Sequence, residues 1–270
     1  AKHTDDPVAR IERLHRIASI HERQLQQFEK AFDAYARGLE VDPQDENTVE
    51  QMARLADVTG DWERFSSLLS KQAEDMMDPV MKTATLKRIA AVQLEKLNDV
   101  EGAITRYREV LENDPEEEQA IGALDHIFTH LERWQDLVEN LRRRISITND
   151  EQEAIGLQFR MGQVFQLNMN ERTKAIEVYR DILNTDPTHS PSMQSLELIF
   201  AEGEHQSEIA EILEPIYYSG ESWEQIVRLG EARLSAIEEA EERFRVIQNV
   251  AEICERRLGD VGQAYIWWLR

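Results

Sequence analysis

The sequence predicts an all-α solenoid of antiparallel helix hairpins, on the basis of three observations. The dipeptide Asp-Pro recurs every 36 residues, an amphipathic helical pattern follows each copy, and no stretch shows the alternation of a β-strand. A helix that restarts at a fixed interval indicates a repeat array, and we expect about fourteen or fifteen helices over residues 1–270. The copies are Asp6-Pro7, Asp42-Pro43, Asp78-Pro79, Asp114-Pro115 and Asp186-Pro187, with Glu151 replacing the proline after Asp150.

Each Asp-Pro dipeptide suits the start of a helix. Proline fits the first helical position because its φ angle is preset and its missing N–H group would have no partner there. The preceding aspartate can cap the helix and is favoured at its positive end. We therefore expect a new helix to begin at every copy of the dipeptide.

The predicted helices come in pairs, because each 36-residue unit contains two amphipathic stretches separated by a short break. The connections are about two to five residues long, which is typical of antiparallel helix hairpins. In chain order the units are residues 7–42, 43–78, 79–114, 115–150 and, less regularly, 151–222.

A longer period, equal to two hairpins, is superimposed on the 36-residue repeat. In the first helix of every second hairpin, a small residue allows a neighbouring helix to approach closely, and we predict that an aromatic residue of the second helix fills the gap beside it. The small residues are Ala18, Ala90 and Gly162, and the aromatic residues are Tyr35, Tyr107 and Tyr179.

The same hairpins resemble the tetratricopeptide repeat superfamily. The family pattern has alanine, then an aromatic residue four positions later and proline twelve positions after the alanine. The matching sets are Ala31/Tyr35/Pro43, Ala103/Tyr107/Pro115 and Ala175/Tyr179/Pro187. The resemblance extends over essentially the whole chain, although each unit is slightly longer than the family's usual repeat. It implies a right-handed superhelix whose first helices line a concave groove that binds peptides or protein surfaces.

The resemblance also implies ligand-binding positions on the first helix of each hairpin. They lie two residues before and two after the core residue that precedes the small one. The alternative is that these side chains form an ordinary solvated face. The candidates for ligand binding are His15, Arg54, Lys87, His126 and Gln163.

The repeat register is expected to break near residues 205–222. The next set after Ala175 that matches the pattern begins at Ala264, which lies further along the chain than the period of two hairpins requires. The excess corresponds to about one helix with its turn. Residues 191–202 and 207–218 are the two candidates for this additional helix, and the 36-residue count independently places a helix start at Trp223.

Two recurring sets of side chains leave two interpretations open. Arginines recur in every second hairpin and either face a ligand or form the same salt bridge in each repeat. Tryptophans that begin helices are either binding anchors or core residues. The sets are Arg16, Arg88 and Arg160, and Trp62, Trp134 and Trp223.

The composition restricts the function. Aspartate and glutamate number 53 against 31 lysines and arginines, a net charge of −22, which disfavours nucleic acid and allows a basic partner. No apolar run approaches a membrane span, and a cytoplasmic location is favoured. The chain begins at Ala1 without methionine and stops within a helical pattern, so we expect it to be part of a longer protein.

No pattern in the sequence indicates catalysis. There is no glycine-rich phosphate loop, no nucleophile–base motif and no cysteine–histidine spacing for a metal. His126 and His130 lie four apart on one helix, but no third ligand is predictable. We expect no enzyme, cofactor or metal, and a scaffold that binds a protein or peptide. The alternative is a ligand-sensing domain that controls an effector domain outside this chain.

The last prediction concerns the C-terminal edge. By register with Tyr107, Trp268 is expected to fill the gap against the Val250-Ala251 helix, with Trp267 exposed beside it. Because exposed apolar patches promote association, we expect possible self-association through this edge.

Overall fold

The computed structural model describes residues 6–270, and residues 1–5 lie outside the described part. The described residues form fifteen α-helices and a five-residue π-helical segment, Val164–Asn168, and contain no strand. The predicted all-α solenoid of consecutive hairpins is thereby confirmed. In chain order the helices are α1 (Pro7–Arg23), α2 (Phe28–Leu39), α3 (Glu46–Thr59), α4 (Trp62–Asp75), α5 (Pro79–Glu95), α6 (Val100–Asn113), α7 (Glu118–His130), α8 (Trp134–Ile147), α9 (Glu151–Gln163), α10 (Arg172–Thr185), α11 (Ser190–Ala201), α12 (Gln206–Ser219), α13 (Trp223–Ala236), α14 (Ala240–Arg256) and α15 (Val261–Trp268).

The chain divides into two compact units. The first unit ends at Arg133 and contains α1 to α7, and the second unit, Trp134–Arg270, contains α8 to α15. Whether residues 1–270 act as a single array stays a prediction.

The Asp-Pro dipeptides have two different roles. Asp78 accepts a hydrogen bond from the backbone N–H of Val80 at 2.9 Å and caps α5, as predicted. Asp42 instead accepts from the N–H of Gln44, and α3 begins only at Glu46. The prediction that every copy begins a helix is therefore wrong for alternate copies, where the proline lies in the turn. The capping copies are Asp6 and Asp78, together with Asp150 without its proline, and the turn copies are Asp42, Asp114 and Asp186.

The predicted packing of a small residue against an aromatic one is confirmed for Gly162 and Tyr179. Tyr35, Tyr107 and Tyr179 are all buried. A Cβ atom added to Gly162 would lie 2.5 Å from the Cε1 atom of Tyr179, so a larger residue would force the ring to move. Burial of the Tyr179 phenol raises its pKa to about 12. In this hairpin the tyrosine ring fits against the opposing helix because that helix has no side chain at Gly162.

Polar contacts in the first unit place the first helices of successive hairpins side by side. His15 of α1 contacts Thr48 of α3 at 2.6 Å, and Arg88 of α5 donates to Glu46 of α3 at 2.8 Å. Lys87 of α5 reaches Gln119 of α7 at 3.0 Å. We call α1, α3, α5 and α7 the first-helix row. The Arg88 contact is a salt bridge between hairpins, which supports the structural interpretation of that arginine.

The second unit contains one helix more than the repeat requires. A residue with positive φ lies two residues before each of three equivalent helices, at Gln26, Asn98 and Asn170, and these three are spaced by two hairpins. The residue in the same position before α15 is Gly259, which comes later than this spacing allows. Glu132 and Glu221, which lie two residues before α8 and α13, are separated by the same longer interval. By these turns α13 corresponds to α8 and α14 to α9. The two candidate stretches for the additional helix form α11 and α12.

This additional helix changes the side on which the last hairpin packs. Asn249 of α14 donates to the hydroxyl of Tyr218 at the end of α12. Arg270, just after α15, reaches Glu231 of α13 at 3.3 Å. Helix α14 therefore lies beside α12, and the end of α15 lies beside α13. The first helix of the α14–α15 hairpin thus stacks on the second helix of the α11–α12 hairpin, whereas in the first unit first helices contact first helices.

The prediction for the two terminal tryptophans is wrong. Trp267 is 1% exposed and Trp268 is 46% exposed. The ring of Trp267 packs beside Gly230 of α13, and a Cβ atom at Gly230 would lie 3.6 Å from the ring. Contact with α13 determines that Trp267 is the buried tryptophan, and the alignment with Tyr107 did not take this helix into account.

Candidate functional site

His15 lies at the contact between α1 and α3. Its Nε2 atom is 2.6 Å from the Thr48 hydroxyl and 3.4 Å from an Asp45 carboxylate oxygen. Its Nδ1 atom is 3.3 Å from the Asn47 amide nitrogen, and its ring packs edge-on against Tyr35. The side chain is thus held on both ring nitrogens and by an aromatic neighbour. His15 fixes the start of α3 and has little freedom to turn toward a ligand.

Arg54 forms the best-defined ion pair of the first-helix row. Its two terminal nitrogens each donate at 2.7 Å to one oxygen of Glu22, at the end of α1. This hydrogen bonding lowers the pKa of Glu22 and raises that of Arg54. The guanidinium group is nevertheless part-exposed, so the pair lies on the surface where a ligand could reach it.

Replacing Arg54 by glutamine is expected to destabilise the protein by about 0.5–1 kcal/mol at pH 7, as for an exposed ion pair. Because the pKa of Glu22 is lowered on folding, its contribution is present above its ordinary value of 4.5 and is lost as pH falls through the lower folded value. Urea unfolding of both proteins should therefore give converging free energies between pH 5 and pH 3. A difference that does not change with pH would show that Glu22 is not the partner that matters.

Lys87 is neutralised in the same way by residues at the start of α7. Its Nζ atom donates to Glu117 at 2.6 Å and to Gln119 at 3.0 Å. Glu117 also accepts from the backbone N–H of Ala120 at 2.7 Å, so one carboxylate both caps α7 and binds the lysine. The predicted cations of this face are thus balanced by acids of adjacent helices.

The remaining candidates are less constrained. His126 is exposed on α7, and its ring stacks on that of His130 with centroids 6.4 Å apart. Gln163 is half-buried at the end of α9, in the second unit, directly before the π-helical segment. Within the described residues, no group of three histidine, cysteine or acidic side chains could hold a metal ion. The first-helix row therefore brings together His15, Arg54, Lys87 and His126, and Gln163 lies in the other unit.

The tryptophans that begin helices are half-buried, and a cation covers two of them, Trp62 and Trp223. The Lys96 ammonium lies 4.9 Å from the ring centre of Trp62, and the Arg257 guanidinium lies at the same distance from Trp223. Each cation comes from the end of a long helix, α5 or α14. These contacts favour the core interpretation of the tryptophans, with one ring face closed by a charged side chain.

The partners of the candidate residues were not identified from the sequence alone. Glu22, Asp45 and Glu117 decide how much charge the row exposes, and none belongs to the family pattern. A signal existed, because Glu22 and Arg54 lie 32 residues apart, as do Glu101 and Arg133. Opposite charges separated by slightly less than one repeat could have been searched for.

The comparisons with known proteins identify the repeats. Residues 11–45 match one family model of the tetratricopeptide repeat, and residues 88–117 and 157–189 match a second. These segments fall on the hairpins α1–α2, α5–α6 and α9–α10. No curated protein matches the chain. No helix in the described part of the chain is both long enough and apolar enough to cross a membrane.

Several solved structures are similar to this chain at low sequence identity. MamA is 15% identical over 67% of this chain and 93% of its own, with a TM-score of 0.37. YrrB, described as a TPR protein with an unusual peptide-binding site, is 14% identical over 73% of this chain and 94% of its own, with a TM-score of 0.38. The TPR2AB domain of yeast Sti1, solved with pHSP90, is 14% identical over 97% and 100%, with a TM-score of 0.36.

Proposed function

Because the chain is a helical repeat protein of the tetratricopeptide repeat superfamily, we propose that it is a non-enzymatic scaffold that binds a protein partner. We further propose that a peptide segment of the partner binds across the first-helix row of the first unit. The observation that carries this proposal is the continuity of the row, in which polar contacts join α1 to α3, α3 to α5 and α5 to α7.

The surface of the row combines charged groups with open space. Gly122 is exposed on α7, and a Cβ atom added there would meet nothing within 4 Å. Ala91 on α5 is another small residue at a position where the family contacts ligands. Small residues on α5 and α7 leave room for a peptide backbone, and the ion pairs of Arg54 and Lys87 provide charged groups on the same row.

The ion pairs predict how binding depends on salt. Arg54 and Lys87 already hold carboxylates of their own chain at 2.7 and 2.6 Å. An acidic ligand group must compete with these carboxylates, and a basic ligand group can share them. Since the pairs are part-exposed, either exchange costs little, and we expect binding that weakens as ionic strength rises.

A blocking substitution tests the proposed surface. Gly122→Trp adds a large side chain to the row in open space and removes a helix-interior glycine, so it should not destabilise α7. We expect it to lower the recovery of bound partners at least tenfold in affinity purification read by quantitative mass spectrometry. The matched control is Thr105→Trp, on the exposed side of α6, which should recover the same partners as the native chain.

The two variants decide between outcomes. Partners lost with Gly122→Trp and kept with Thr105→Trp support the first-helix row. Equal recovery by both variants, with unchanged melting temperatures, would place partner binding elsewhere on the molecule.

A further inference from the structure

A cavity of about 670 Å³ lies in the first unit. It is formed by the C-terminal ends of the second helices α2 and α4, the turns that follow them and the beginning of α5. Its volume is within the range of ligand-binding pockets. None of the ligand-binding candidates implied by the family resemblance lines it.

The apolar part of the cavity is rich in methionine. Leu39 and Leu68 belong to the two second helices, and Met76 and Met81 come from the turn after α4 and the start of α5. Met77, in the same turn, has 95% of its side chain exposed. Methionine side chains are flexible and polarizable, and surfaces built from them adapt to apolar side chains of different shapes.

The rim of the cavity is acidic. Four carboxylates line it against one lysine, Lys71, which gives the lining a formal charge of −3. Asp42 and Asp78 each use one oxygen to hold a backbone N–H group of their own turn. Glu40 and Asp75 are exposed. An apolar floor below carboxylates is complementary to a group that is apolar at its tip and positively charged beside it.

Gln72 supplies a polar group between the floor and the rim. Its Nε2 atom donates to the carbonyl oxygen of Leu39 at 3.0 Å. Its Oε1 atom is buried and has no hydrogen-bond partner among the described residues. A buried acceptor without a donor is costly, and a ligand N–H group would supply the missing bond only if the Gln72 side chain turned toward the cavity.

The second unit contains an equivalent cavity with different chemistry. Residues 36, 39, 68 and 72 of the first cavity correspond, four hairpins later, to residues that line a cavity of about 510 Å³. The shape therefore comes from the repeat. There, Arg180 takes the place of Ala36 and pairs with Glu208, and Ile216 takes the place of Gln72. Of these two cavities, only the first is lined by methionines, and its formal charge of −3 compares with −1 for the second, which has Glu208 and Glu211 against Arg180.

We propose that the cavity of the first unit binds a basic amphipathic segment of a partner protein. A large apolar side chain of the segment enters between Leu39, Leu68 and the methionines, and neighbouring lysines or arginines meet the rim carboxylates. Charge selects this occupant: a second copy of the chain, at −22, would be repelled, as would an anionic lipid surface or a nucleic acid. Helix α5 contributes to both surfaces, but none of His15, Arg54, Lys87 and His126 lines this cavity.

The test uses peptides with defined chemistry and the full chain labelled with ¹³C at its methionine methyl groups. The probe is a helical peptide with leucine on one face and arginine on the other. We expect it to shift the methyl resonances of Met76, Met77 and Met81 and to leave those of the buried Met52 unchanged. A peptide with glutamate in place of arginine, and one with serine in place of leucine, should each bind at least tenfold more weakly.

Variants of the chain locate the binding. Ala36→Arg, which introduces the side chain that Arg180 supplies in the second unit, should fill the entrance and weaken the basic peptide about tenfold or more. Removing two rim charges with Glu40→Gln and Asp75→Asn, which have no cap role, should weaken it by a similar factor. Glu112→Gln is the matched control, because Glu112 is exposed at the position that corresponds to Glu40 two hairpins later.

The outcomes are distinguishable by folding as well as by affinity. Each variant should melt within a few degrees of the native chain, and Gly122→Trp should bind the basic peptide normally. Equal binding of the arginine and glutamate peptides, or resonance shifts that exclude the three methionines, would overturn the proposal.

Discussion

Replacing Tyr107 by alanine is expected to lower the free energy of unfolding by about 3–5 kcal/mol. The side chain is 8% exposed and recurs in register with two other buried tyrosines. Burial also raises the pKa of its phenol. Truncation would remove the ring from a closely packed gap between helices and leave a cavity that rigid neighbours cannot fill.

The effect of Tyr107→Ala is best measured locally as well as globally. Repeat arrays can unfold in parts, so urea unfolding should be combined with hydrogen exchange of the amides around residue 107. Tyr265→Ala is the matched control, because Tyr265 is 63% exposed on α15 and its loss should cost less than about 0.5 kcal/mol. A loss below about 1 kcal/mol for Tyr107→Ala would contradict the packing described for the hairpin.

Replacing Trp267 by alanine should be comparably severe, at about 3–5 kcal/mol, whereas Trp268→Ala should cost less than about 1 kcal/mol. Trp267 is enclosed beside Gly230, and the Arg270 guanidinium lies 4.4 Å from its ring centre. Trp268 is almost half exposed. Differential scanning calorimetry of the two variants, with tryptophan emission to report exposure, measures the contrast directly.

Equal losses for the two tryptophans would show that α15 does not pack with Trp267 inward. The burial of Trp267 and the exposure of Trp268 also change the experiment that tests self-association, which stays a prediction. Trp267→Glu is unsuitable as its test because the substitution would bury a charge. The exposed apolar side chains at this edge include Tyr265, Ile266, Trp268 and Leu269, and light scattering of Trp268→Glu is the appropriate measurement.

The sequence predicted the repeat because its signals are local. Amphipathic spacing, a capping aspartate and the pairing of a small residue with a tyrosine of the next helix operate within one hairpin. These features correctly identified the helix pairs, the buried Tyr35, Tyr107 and Tyr179 and the unit size. The Asp-Pro dipeptide was less reliable because its capping and turn forms use the same two residues, and the distinction depends on the residues that follow.

The candidate site was predicted by position but not by chemistry. The sequence placed Arg54 and Lys87 on first helices, and the structure gives each a carboxylate partner from a neighbouring hairpin. Such partners are almost one full repeat away in sequence, beyond the reach of helical periodicity. The cavity at Gln72 was also not predicted, because its lining comes from two helices and two turns that each look ordinary.

The sequence by itself determined the all-α repeat and its period, and it favoured one additional helix. The tertiary structure decided which side each helix faces. One additional helix exchanges the positions of first and second helices in every hairpin after it, so α14 contacts α12 and the end of α15 contacts α13. The buried residue in Trp267-Trp268 is then chosen by contact with Gly230. Hydrophobic periodicity indicates which residues of a helix face the other helix of its hairpin. Burial also depends on the helices that tertiary packing places on its other sides.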